Sequence, residues 1–98
     1  MIKHIVLWQY TDEVRRTKAE EVTAALRSRF EDLPGKIDGL TRIELGRNYK
    51  DGPYDIVLYC EFTTREAEAA YQVHPLHVAI KELSAPWVTG RAAIDYEV

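Results

Sequence analysis

Cysteine is nearly absent from this 98-residue chain, which holds a single one, Cys60. One thiol cannot form an internal disulfide or a thiolate metal cluster, so the chain needs no oxidising compartment. No apolar run approaches the ~20 residues that cross a membrane, and the residues after Met1 read as a strand rather than a signal peptide. We therefore expect a cytoplasmic protein with no membrane partner.

An excess of basic charge is missing as well. The 13 Lys and Arg residues are outnumbered by 16 Asp and Glu residues, and they are dispersed between the acids. A protein that binds a phosphate backbone normally carries a basic patch or stripe, so no nucleic-acid partner is expected. Because 46% of the residues are hydrophobic and no low-complexity tract occurs, the sequence predicts one globular domain over residues 1–98.

Alternating side-chain character predicts four strands, over residues 2–10, 40–46, 54–62 and 91–98. Two helical segments interrupt them, in the order strand, helix, strand, strand, helix, strand. This order is that of an α+β, ferredoxin-like split βαβ fold with a four-stranded antiparallel sheet and both helical segments on one face.

The two helical segments have recognisable starts and stops. Thr17 and Glu20 form a capping-box pattern that predicts the start of the first helix, which ends at Pro34. The second begins after Thr64 and is broken by Pro75, which has no backbone N–H and disfavours a helical residue before it. A new helix is expected to begin at Pro75 and to run to about residue 83.

Both faces of the predicted sheet carry apolar residues. Ile5 and Leu7 share one face of the first strand, while Ile56 and Leu58 share one face of the third. Whichever face meets the helices, the other face would expose apolar side chains to water. At ~25 cal/mol per Å², leaving that surface unburied loses several kcal/mol of hydrophobic stabilisation. We expect a homodimer joined through the sheet face opposite the helices. Leu58→Glu should weaken it if Leu58 lies on that face.

Residues 71–77, Tyr-Gln-Val-His-Pro-Leu-His, crowd together hydrogen-bonding and titratable side chains. Tyr71 projects from the turn before the break and His77 from the turn after it, so both are predicted to point to one interior volume. A phenol and an imidazole placed in this way can act as an acid–base pair. His74 is expected to cap the new helix. The alternative is that these side chains bond internally and hold the broken helix in place.

The predicted pocket lies between the sheet and the helices and binds a small molecule. His4 and Asp55 are expected to tune it, and Leu26 and Trp87 to narrow it to a compact apolar space. The expected lining residues are Val6, Trp8, Val22, Leu26, Val57, Leu83 and Trp87.

A metal site is a further alternative, in which His74 and His77 would bind zinc or copper together with His4 or Asp55. The three histidines show no fixed ligand spacing, so we expect no metal and no cofactor.

Residues 3–7, 54–58, 71–77 and 94–96 together resemble the stress-responsive A/B barrel (Dabb) family. The resemblance implies a dimeric α+β barrel. Many members are known only as stress-associated proteins, and a plant branch consists of polyketide cyclases. In other proteins of the dimeric barrel group aromatic pockets hold haem or flavin, but Trp8 and Trp87 are explained as core residues.

The cyclase branch implies roles for individual residues. Its base in an intramolecular aldol condensation matches His77, the Tyr that holds a carbonyl oxygen matches Tyr71, and its first-strand His matches His4. Asp55 and Leu26 depart from the cyclase pattern, which has His and Tyr there. Two functions follow as expectations: an acid–base enzyme of the cyclase or isomerase type that acts on an enolisable molecule, or a non-catalytic stress-response or ligand-binding dimer.

Overall fold

The computed structural model describes residues 1–98 and contains a single antiparallel sheet with the strand order β2-β3-β1-β4. The predicted α+β, ferredoxin-like fold is thereby confirmed. None of the helices has the length and apolar character needed to span a bilayer. The elements are β1 (Ile2–Tyr10), α1 (Asp12–Thr17), α2 (Ala19–Glu31), β2 (Leu40–Arg47), β3 (Ile56–Phe62), α3 (Arg65–Val73), α4 (Pro75–Ser84) and β4 (Val88–Glu97).

The core lies between α2 and one face of the sheet. Ala19, Val22, Leu26 and Phe30 of α2 recur every three or four residues and are buried, as the sequence predicts for an amphipathic helix. The same sheet face includes Leu58, which is only 1% exposed. The conditional expectation that Leu58 faces a partner is therefore wrong, because alternation along β3 turns Leu58 toward the helices and its neighbour Val57 away from them.

The sequence does not predict helix α1. Its six residues contain one buried apolar side chain, Val14, and a single apolar residue shows no helical periodicity. The Thr11 hydroxyl caps α1 by accepting a hydrogen bond from the Val14 N–H at 3.4 Å. The predicted capping box at Thr17 is wrong. Its hydroxyl donates to the Glu13 carbonyl at 2.7 Å, and Lys18 precedes α2 without a side-chain cap.

A β-bulge changes the alternation of β4. Leu7 pairs with Ala92, whereas Gln9 pairs with Thr89, so β4 has one extra residue between these two pairs. Gly90 lies there with φ +61°, and a Cβ at this position would collide with the Gln9 side chain. After the bulge the strand alternates regularly, so Arg91 lies on the helix side of the sheet together with Asp95.

The break between α3 and α4 lies where the sequence predicts it. His74 has an extended backbone, with φ −67° and ψ 135°, and Pro75 is the first residue of α4. His74 Nδ1 accepts a hydrogen bond from the Leu76 N–H at 3.1 Å, which confirms its predicted capping role. The break places the end of α3 beside the start of α4.

Candidate functional site

A cavity of about 460 Å³ opens between the sheet and the broken helix. This volume lies in the range of small-molecule sites. Polar and charged side chains make up about half of the wall, so the compact apolar space expected from the sequence is not what the fold forms. The lining residues are His4, Val6, Trp8, Leu58, Gln72, His77, Lys81, Ser84, Ala85, Val88 and Arg91.

His77, in the first turn of α4, is 7% exposed. Its Nδ1 lies 3.3 Å from the Gln72 carbonyl oxygen, which can only accept, so Nδ1 carries the hydrogen and Nε2 carries the lone pair. Nε2 has no hydrogen-bond partner and is not enclosed, so it opens onto the cavity. The site therefore presents an unoccupied proton acceptor.

Burial lowers the pKa of His77 below its ordinary value of 6.5, because the charged form loses its hydration. The Gln72 carbonyl opposes this shift, while the nearby charges of Lys81 and Arg91 add to it. Between the lowered pKa and 6.5 the unfolded chain binds more protons than the folded one. The stability contributed by neutral His77 is thus fully present above pH 6.5 and is lost as the pH falls toward the lowered pKa.

His4 supplies a second imidazole to the cavity wall. Strand register pairs His4 with Asp95, and His4 Nδ1 lies 2.5 Å from the Asp95 carboxylate. The Nδ1–H donates this hydrogen bond to the carboxylate, which fixes the orientation of the His4 ring. Sequence reasoning missed Asp95, because the register that pairs the first strand with the last cannot be read from either strand alone.

Tyr71, near the end of α3, is wholly buried, and its ring stacks on that of His77 with centroids 4.1 Å apart and planes at 30°. The two side chains therefore converge across the break. The Tyr71 hydroxyl, however, is enclosed with only the Cys60 thiol near it as a polar group, and it is not part of the cavity wall. Burial raises its pKa far above the ordinary value, so the phenol stays protonated.

Cys60 is the remaining reactive group in this part of the core. It is fully buried on β3 directly across from His4. Burial raises the pKa of its thiol to about 12, so it offers no thiolate at neutral pH. Cys60 therefore contributes packing and no nucleophile.

Several residues expected in the pocket lie elsewhere. Val22 and Leu26 are core residues of α2, and Val57 lies on the opposite face of the sheet, because neighbouring residues of a strand alternate between faces. Leu83 and Trp87 are half-buried outside the cavity wall. Of the predicted set, His4, Val6, Trp8 and His77 line the cavity.

Asp55 also lies outside the cavity wall, just before β3. Its carboxylate accepts hydrogen bonds from the Tyr10 N–H at 2.8 Å and from the Arg15 guanidinium at 2.9 Å. Asp55 therefore links α1 to the end of β1 and does not contribute to the cavity chemistry.

One group of side chains has the composition of a metal site. His4, Glu68 and Asp95 offer ligand atoms within 4.8 Å of one another. Hydrogen bonds already engage all three, since His4 bonds to Asp95 and Glu68 accepts from Gln72 at 2.6 Å. His74 and His77, the pair considered in the sequence, form no such group with His4 or Asp55.

Comparison with solved structures confirms the architecture. A dimeric protein of unknown function and ferredoxin-like fold from Bacteroides fragilis is 36% identical, with a TM-score of 0.89 over 99% of this chain and 95% of that one. A dimeric ferredoxin-like protein from Thermobifida fusca is 25% identical, with a TM-score of 0.82 over 99% and 90%. A Dabb family protein from Mesorhizobium loti shares the fold at 23% identity, with a TM-score of 0.77 over 99% and 95%.

The comparison with families gives the assignment. No curated protein matches this chain. The profile of the Stress responsive A/B Barrel Domain family matches residues 2–98, nearly the whole sequence. The chain therefore belongs to the stress-responsive A/B barrel (Dabb) family.

Proposed function

We propose that this protein is a small homodimer whose cavity binds an enolisable small molecule and catalyses proton transfer, as a cyclase or isomerase does. The observation that carries the proposal is His77 Nε2, an unprotonated and unpartnered nitrogen in the wall of a cavity of about 460 Å³. A base whose pKa is lowered remains neutral at pH 7 and can accept a proton from carbon.

The surrounding residues have separate roles in this proposal. His77 removes the proton next to a carbonyl group, and the electron pair moves to the carbonyl oxygen. His77, protonated by this step, returns a proton to the substrate, and His4, oriented by Asp95, is the second imidazole in the wall beside it. Tyr71 acts as a positioning residue, because its ring packs on the imidazole while its hydroxyl is closed off from the cavity. This replaces the carbonyl-binding role that the resemblance implies.

The homodimer forms through the sheet face opposite the helices. This face exposes Ile94 by 59% and Tyr96 by 40%, beside half-buried Ile5 and Leu7. Two clefts of about 430 and 150 Å³ cross the same face, and the smaller one is lined by apolar residues alone. An apolar face of this kind marks an interaction surface. The dimeric relatives of the same fold support a second copy of the chain as its partner.

A non-catalytic ligand-binding dimer is the competing function. The close stacking of Tyr71 on His77 and the Nδ1 bond to Gln72 favour it, since they also hold the broken helix together. The two functions differ in whether the free Nε2 moves protons.

Solvent deuterium exchange separates the two functions. The protein is incubated in D₂O with 2-oxobutanoate, phenylpyruvate or cyclohexanone, and loss of the signal from the proton next to the carbonyl is followed by NMR. We expect faster exchange of at least one compound than with heat-denatured protein, and a rate that declines once the pH falls below the lowered pKa of His77. Exchange at the denatured-protein rate for all three would favour the non-catalytic dimer.

A further inference from the structure

Two cationic side chains in the cavity wall have no acidic partner. Lys81 and Arg91 both line the cavity, and neither makes an ion pair or a side-chain hydrogen bond within the chain. No carboxylate belongs to the wall. The whole chain has a formal charge of −3, so the cavity wall is positively charged on a protein that is negative overall.

Two acids near the site form hydrogen bonds with other side chains. Asp95 accepts the hydrogen bond from His4, and Glu68 accepts one from Gln72. Neither forms an ion pair with Lys81 or Arg91, and the charges of these two cations lower the pKa of His77.

The fold places the two cations on different walls. Lys81 lies one turn after His77 on α4, so the two side chains share a helix face. Arg91 comes from β4, where it lies on the same side of the strand as Asp95, the partner of His4. A ligand between the helix and the sheet would meet both charges while one of its carbons lies near His77 Nε2.

We propose that the cavity is a site for organic carboxylates, and that the enolisable substrate is a keto acid whose carboxylate lies between Lys81 and Arg91. The reaction of the keto acid rests on the proposed function, whereas the binding of a carboxylate does not depend on it. The guanidinium of Arg91 matches a carboxylate through two parallel hydrogen bonds, and Lys81 adds a point charge. His77 Nε2 then takes the proton next to the keto group, the electron pair moves to the keto oxygen, and the carboxylate is unchanged.

A matched pair of ligands tests the inference by calorimetric titration. 2-Hydroxybenzoate and 2-hydroxybenzamide have nearly the same size, and only the first is an anion at pH 7. The protein should bind the acid at least about tenfold more tightly than the amide, as expected for hydrogen bonds to a charged group. Raising the salt from about 0.05 to about 0.5 M should weaken binding of the acid alone.

Charge-removing variants give the controls. Arg91→Gln and Lys81→Gln should each weaken binding of the acid about fivefold or more and leave the amide unaffected. Arg29→Gln removes the same charge from an exposed site outside the cavity and should change neither ligand. Equal affinity for acid and amide, or cavity variants that behave like Arg29→Gln, would overturn the inference.

His77→Asn separates this inference from the proposed reaction. If the variant still prefers the acid while proton exchange is lost, both proposals are supported. If the wild-type protein prefers the acid but exchanges no protons with any compound, the result supports the carboxylate site and contradicts the catalytic function.

Discussion

Replacing Val57 with Glu is expected to dissociate the proposed homodimer into folded monomers. Val57 lies opposite Leu7 on the sheet face away from the helices, beside the cleft of about 430 Å³. In a dimer joined through this face each protomer would bury an unpaired carboxylate, at a cost of about 3–5 kcal/mol. Sedimentation at micromolar concentration should therefore give half the wild-type mass, with an unchanged far-UV circular dichroism spectrum.

Leu58→Glu is the matched control, one residue along the same strand. Leu58 is 1% exposed on the helix face, so its carboxylate would lie in the core of a single chain. We expect the free energy of unfolding to fall by about 3–5 kcal/mol, a large part of the 5–15 kcal/mol typical of a domain. A Val57→Glu protein that sediments at the wild-type mass would contradict the proposed interface.

Replacing His77 with Asn is expected to reduce proton exchange about 10²-fold or more, the contribution usual for a general base. Asn has an N–H₂ group near the position of Nδ1 that can keep the bond to the Gln72 carbonyl, but no basic nitrogen at the position of Nε2. The fall should appear in kcat, measured by NMR exchange, while the dimer mass stays the same.

Tyr71→Phe is the control for this variant, because it keeps the ring that stacks on His77 and removes only the hydroxyl. That hydroxyl is buried with only the Cys60 thiol near it, so its removal should change the free energy of unfolding by no more than about 1 kcal/mol and leave exchange within about threefold. A Tyr71→Phe protein with the same loss of exchange as His77→Asn would show that the hydroxyl takes part in the reaction.

The parts of this structure that depend on local sequence could be predicted. Pro75 breaks the helix. Because of this break, His74 caps α4 and the Tyr71 ring stacks on that of His77. The alternation along β3 was equally clear. Which of its two faces meets the helices was not, because both carry apolar residues, and Val57 was therefore assigned to the wrong side.

The rest of the site depends on strand pairing, which local patterns do not determine. Asp95 reaches His4 only through the register of β1 with β4, and Arg91 lies on the same side of β4 as Asp95. Gln72, Lys81 and Ser84 in the polar part of the wall come from α3 and α4, whose packing against the sheet is not visible in a local pattern, whereas Val6 and Trp8 could be placed from β1 alone.

The central claim is that His77 presents an unprotonated Nε2 to the cavity at neutral pH. Long-range ¹H–¹⁵N correlation spectra of the histidine rings measure this directly, with His77→Asn used to assign the signals. The account predicts that Nδ1 is protonated and Nε2 is bare at pH 7, that this remains so at pH 6.5, and that the Nε2 signal shifts when 2-hydroxybenzoate is added. A hydrogen on Nε2 at pH 7, or a doubly protonated ring at pH 6.5, would contradict it.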